Sequence, residues 1–147
     1  MSEDYAGFVT RAIAFAIDVA LVDLAAVVVA IVVGLGISAF EVTDVVVTIT
    51  IAVGGLAYLA WFVGYFAMFW STTGQTPGAR AMGVRVVCPG GEPVRLGAAI
   101  VRLAGMALAA LPLFAGFLLI LVDDRRRGLQ DRLARTVVVY APVRSVR

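Results

Sequence analysis

The sequence predicts an all-α membrane protein with two full transmembrane helices, a third apolar segment broken near Pro112 (re-entrant or crossing), and a small cytoplasmic β element. Three observations carry this. Of 147 residues, 62% are apolar, against about 45 to 50% in soluble domains, and the mean hydropathy is +1.01. The apolar residues gather in three runs, about 8–33, 45–70 and 97–122, each near the roughly 20 residues that cross a bilayer. The stretches around the third run are rich in arginine, whereas the link between the first two has no basic residue. One membrane domain, 1–147, with a tail at 123–147, accounts for the whole chain.

The first run, FVTRAIAFAIDVALVDLAAVVVAIVV, carries Arg11 near its start and Asp18 and Asp23 inside it. An Asp at the centre of an inserted helix costs about 2.5 to 3.5 kcal/mol, while each Val, Ile or Leu returns about 0.3 to 0.6. Asp18 therefore faces protein or water rather than lipid. At about 100° per residue, Arg11 and Asp18 fall within about 20° of one another, roughly 10 Å apart along the axis. They share a stripe with Ala14 and Ala25, with Val22 between, and small residues there let a second helix approach. Asp23 lies about 140° away, so the carboxylates do not pair. Helical side chains lean toward the N-terminus, which aims Arg11 away from Asp18. Asp18 needs a partner from elsewhere in the chain, a water or cation, or a protonated form. A cleaved leader does not fit, because Glu3 and Asp4 make the start acidic and the run exceeds a signal h-region of about 7 to 15 residues.

Gly34-Leu35-Gly36 ends this helix, and the link from Ile37 to Asp44, with Glu41 and Asp44, marks the outer side. The second run is too long for a strand. Its Tyr58, Trp61, Tyr65 and Trp70 are packing residues and an interfacial belt rather than a cofactor-stacking box.

Ser71 to Leu96, with Arg80, Arg85 and Arg95, is a cytoplasmic loop. Within it Gly74-Gln75-Thr76-Pro77-Gly78 turns into a helix, with Thr76 as cap and Pro77 at the first helical position. Val84 to Cys88 forms a strand, Pro89-Gly90-Gly91-Glu92 a turn, and Pro93 to Leu96 a short return.

The third run has Arg102 in its first turns, Gly105 inside and Pro112 near its middle, where proline kinks or ends a helix. A full crossing puts the tail outside, yet the tail holds Arg125, Arg126, Arg127, Arg132, Arg135, Arg144 and Arg147, the strongest inside signal in the chain. A break at Pro112 with a returning second half resolves the conflict and leaves both termini cytoplasmic. The stretch Thr136 to Tyr140 then finds its strand partner in Val84 to Cys88.

Several chemistries are excluded. With no His and no Lys, a histidine metal site and a His-based triad are absent. Cys88 stands alone, so no internal disulfide forms. Asp123, Asp124 and Asp131 are the acidic residues of the tail, but adjacent arginines neutralise them more readily than a divalent metal would. No metal, cofactor or enzymatic activity is expected. The basic residues sit beside membrane segments without interleaved aromatics, which speaks against nucleic acid. Arg125 to Arg127 suit anionic headgroups, at roughly 1 kcal/mol per residue.

Three stretches together resemble the RDD family of small bacterial and archaeal membrane proteins: Arg11 with Ile17-Asp18, Gly74-Gln75-Thr76-Pro77-Gly78 running into Gly83-Val84-Arg85-Val86-Val87, and Arg125-Arg126-Arg127-Gly128-Leu129-Gln130-Asp131 leading to Arg135-Thr136-Val137-Val138. The resemblance spans about residues 5–140. It implies Arg11, Asp18 and Asp131 as the namesake residues and a place in the cytoplasmic membrane. It also implies transport of unidentified ligands, with sodium/proton exchange associated with some members. Gln130 departs from the family's usual Leu-His-Asp, which removes any proton-handling histidine but keeps a hydrogen-bonding side chain.

Two functions follow as expectations. In the first, Arg11, Asp18 and Asp131 bind a monovalent cation or proton on a polar path, supported by Asp123, Arg102, Gly74, Thr76, Pro77, Gly78 and Gln130. Two spans are too few to enclose a pathway, so the chain acts as a homo-oligomer or within a larger membrane complex. In the second, it is a non-catalytic accessory or assembly subunit. Each of the three namesake residues has a plain counterpart. Asp18 locks packing by accepting hydrogen bonds from a neighbouring helix or from Arg102. Arg11 snorkels to headgroups. Asp131 belongs to a salt-bridge and turn network.

Overall fold

Backbone amides inside hydrocarbon must be satisfied by the segment that carries them, and a helix does this locally. The first two runs obey. In the computed structural model, which describes residues 5–40, 42–111 and 115–141, α1 covers Phe8–Ala39 and α2 covers Asp44–Thr72. Both are long and apolar enough to cross a membrane, with mean hydropathies of 2.7 and 2.1 over their best windows. Gly34-Leu35-Gly36 does not end α1, which runs on to Ala39. Glycine weakens a helix by only about 1 kcal/mol, less than unsatisfied amides cost in an apolar setting.

α1 and α2 are packed at one end and bare at the other. Among the described residues, nearly every one from Leu24 to Leu59 is exposed, Ala25 among them, so the small-residue stripe is buried only as Ala14, Asp18 and Val22. The core lies at the opposite end, where Ala6, Ala14, Phe66, Trp70, Ala79, Val86, Ala99 and Val138 meet.

That end is built by the links. α3 (Pro77–Ala81) starts with Thr76 as its cap, the hydroxyl accepting from the Ala79 N–H at 3.2 Å, and Pro77 follows at the first position. β1 (Val84–Val87) pairs antiparallel with β2 (Val137–Tyr140), Val84 opposite Tyr140 and Val87 opposite Val137. Tyr5 bridges to Val139, and the Ala6 N–H donates to the Val138 carbonyl at 2.9 Å, so the start of the chain joins the same sheet. The expected return strand at Pro93 to Leu96 does not form. Residues 93–95 have no strand partner and α4 begins at Leu96.

The third run is two helices, α4 (Leu96–Ala110) and α5 (Ala115–Val122), followed by α6 (Leu129–Ala134). The break expected near Pro112 falls outside the described residues, as do Glu3, Asp4, Glu41, Arg144 and Arg147. Beyond α5 the chain is back beside both the start of α1 and the first turns of α4. Arg126 donates to the Tyr5 carbonyl at 3.4 Å, and Asp131 on α6 meets Arg11 and Arg102. Gly105 permits this return, since a Cβ there would sit 2.8 Å from the Gln130 Cα.

Candidate functional site

The two namesake carboxylates occupy separate buried clusters with different compensation. Asp131 is fully buried on α6 and sits between two guanidiniums. Arg11 Nη1 donates to Asp131 Oδ2 at 2.7 Å, and Arg102 Nη1 pairs with Oδ1. The Gly128 N–H adds a third bond at 3.0 Å, the carboxylate reaching back over the start of its own helix. Arg11 also donates to the Ala6 carbonyl at 3.0 Å, and Arg102 donates to Thr136 Oγ1 at 2.8 Å while its guanidinium lies 4.9 Å from the Trp70 ring centroid. Arg11 is thus not a headgroup anchor. It is nine-tenths buried and ties α1 to the tail. Asp131 is the centre of this salt-bridge network.

Asp18 is 2% exposed on α1 and has no guanidinium partner among the described residues. Its oxygens accept only from neutral donors: Tyr65 Oη at 3.0 Å, the Gly78 N–H at 2.7 Å, and the Thr76 hydroxyl. Arg102 is not among them, because it is committed to Asp131. Gly78 makes the approach possible: any Cβ there would lie 2.1 Å from the Ala14 carbonyl oxygen. Gly74, at φ +70°, turns the chain, and a Cβ on it would lie 2.7 Å from the Val86 carbonyl oxygen. The Gly74 to Gly78 motif therefore positions donors for Asp18. Asp23 has its own donor, Tyr58 Oη at 2.7 Å.

Asp123 stands apart from both. It accepts from Arg127 Nε at 3.1 Å and from Arg132 at 2.7 Å, and the Arg127 hydrogen bond holds its carboxyl well below the usual range while raising Arg127. Asp123, Asp124 and Asp131 do not assemble, and no metal-holding group forms among the described residues.

A partly enclosed cavity of about 290 Å³ connects the clusters. Asp18, Arg11, Arg102 and Gln130 lie on its wall, along with Phe15, Trp70, Met106 and Ile120. Arg11, Asp18 and Asp131 do not form one site: the first two share the cavity, while Asp131 backs the guanidiniums from behind. Sequence reasoning missed the roles of Tyr65 and Thr136, which partner Asp18 and Arg102, while Trp70, expected in packing or an interfacial belt, packs in the core against Arg102. The helical offset of Asp18 from Tyr65 across two spans carries no local signal, but a tyrosine at lipid depth is one, since its hydroxyl needs a partner there.

The RDD family pattern matches residues 5–135. The chain is also 37% identical over 90 residues to proteins described as "Proline-rich antigen homolog" in two strains of Mycobacterium tuberculosis. That match covers 60% of this chain and 36% of theirs, so the chain spans about a third of the length of these curated relatives. No solved structure matches.

Proposed function

The chain belongs to the RDD family of small membrane proteins, and we propose that it is a non-catalytic, transport-related component in which Asp18 takes up a proton or monovalent cation. One observation carries this: of the two buried namesake carboxylates, Asp131 is compensated by two arginines and Asp18 by none. A buried charge is costly unless paired, and ionisable residues inside the membrane mark ion and proton paths. The cavity gives Asp18 a space to exchange through. Arg11 and Arg102 flank that space and disfavour a second cation.

In this reading the sheet end faces the cytoplasm. Arg80, Arg85, Arg95, Arg125, Arg126, Arg132 and Arg135 are exposed there and suit anionic headgroups. Segment three enters and returns on that side of the bacterial cytoplasmic membrane, which leaves both termini inside. The bare halves of α1 and α2 meet lipid or further copies of the chain, since two spans enclose no pathway by themselves.

The longer relatives favour a second reading, an accessory or anchoring module that a larger protein carries. Liposome exchange separates the two. Liposomes that contain the purified protein and are loaded with a pH dye should show proton movement on addition of sodium or potassium. A well-folded protein that moves none leaves the accessory reading.

A further inference from the structure

We propose that the cavity is a lateral binding site for an uncharged amphiphile with an apolar body and a hydroxyl head. The inference does not require Asp18 to exchange a proton. It begins from two orphans. Arg102 Nε, a donor, and Gln130 Oε1, an acceptor, are buried and have no hydrogen-bond partner among the described residues. Arg102 is 5% exposed and Gln130 3%, and both stand on the wall of the same cavity. An unmet buried donor or acceptor is costly, so one orphan calls for an account and two on one cavity wall point to a ligand that meets both. That ligand must accept from an N–H and donate to a carbonyl oxygen. A hydroxyl does both.

The rest of the wall sets the body. Phe15, Trp70, Met106 and Ile120 are apolar or aromatic, and Met106 adapts to irregular shapes. A volume of about 290 Å³ stands at the lower end of the roughly 300 to 1,000 Å³ of small-molecule pockets. The two orphans argue for a neutral head. A carboxylate only accepts and an ammonium only donates, so neither meets both Arg102 Nε and Gln130 Oε1, whereas a hydroxyl does. A ligand with a buried polar head and an apolar body would arrive from the bilayer between α1 and α5, which supply Phe15 and Ile120.

Trp70 is a built-in reporter, lying against Arg102. Trp61, the other tryptophan, is exposed on α2 and can be replaced by Phe. The full chain carrying Trp61→Phe in lipid nanodiscs would be titrated with 8-bromo-1-octanol, whose bromine quenches a nearby indole, and with 1-bromooctane. The proposal predicts quenching by the alcohol that saturates, and quenching by the alkane that only rises with its content in the bilayer. Gln130→Leu should raise the half-saturation concentration for the alcohol about tenfold. Linear quenching by both probes, or identical curves for the two, overturns the proposal. So does saturation by the alcohol that Gln130→Leu leaves unchanged. The comparison of the two probes uses no cavity substitution and stands if Gln130→Leu fails to fold.

Discussion

Gly78 donates its backbone N–H to the Asp18 carboxylate at 2.7 Å, and a methyl group on Gly78 would sit 2.9 Å from that carboxylate and 2.1 Å from the Ala14 carbonyl oxygen. The short helix α3 is thus pressed against α1 backbone to carboxylate, with no atom to spare. Gly78→Ala should lower stability by about 1 to 3 kcal/mol or more, the cost of overpacking. Gly64→Ala on α2, with open space around it, should gain up to about 1 kcal/mol. Thermal unfolding in detergent checks both, and equal midpoints for the two variants would refute the close approach.

Thr76 serves two partners, accepting from the Ala79 N–H and donating to Asp18. Thr76→Ser keeps the hydroxyl and should behave as native. Thr76→Val, nearly the same shape, should lose about 1 to 2 kcal/mol, as cap substitutions do. A Val variant as stable as Ser would show that shape rather than hydrogen bonding matters at this position.

These contacts were only partly legible in the chain. The spans, the Thr76 cap and the pairing of β1 with β2 followed from local rules: apolar length, Thr-Pro at a helix start, and two short strands each needing a partner. The partner of Arg11 did not, because Asp131 lies 120 residues away and reaches it only through the return of α5. Position on a helix said that Arg11 points away from Asp18, which holds, but not what it points toward. The resemblance supplied Arg11, Asp18 and Asp131 as a set. Only the fold divides that set into a carboxylate held between two arginines and a carboxylate held by neutral donors alone.

The pH response should come from Asp123 at the acid end. Arg127 holds its folded carboxyl below the ordinary 3.8, so this pair contributes its full stability above pH 4. That contribution declines as pH falls below 4 toward the depressed folded value. The pair is near the surface, and its worth is about 1 kcal/mol or less. Unfolding midpoints from pH 6 to pH 3 should drop less steeply in Asp123→Asn than in the native protein. Parallel curves would remove Asp123 from the acid response.

The proposed exchange role of Asp18 and the structural role of Asp131 are separated most directly by setting Asp18→Asn beside Asp131→Asn for both unfolding and cation/proton exchange in liposomes. Asn keeps an acceptor for Gly78 and Tyr65 and gives up only the one that Thr76 donates to, so Asp18→Asn should fold with a loss of about 1 to 2 kcal/mol at most and exchange nothing. Asp131→Asn leaves two arginines buried with a neutral partner and should lose about 3 to 5 kcal/mol. Native exchange by a folded Asp18→Asn, or unfolding of Asp18→Asn as severe as that of Asp131→Asn, would contradict that separation and make Asp18 a second structural lock.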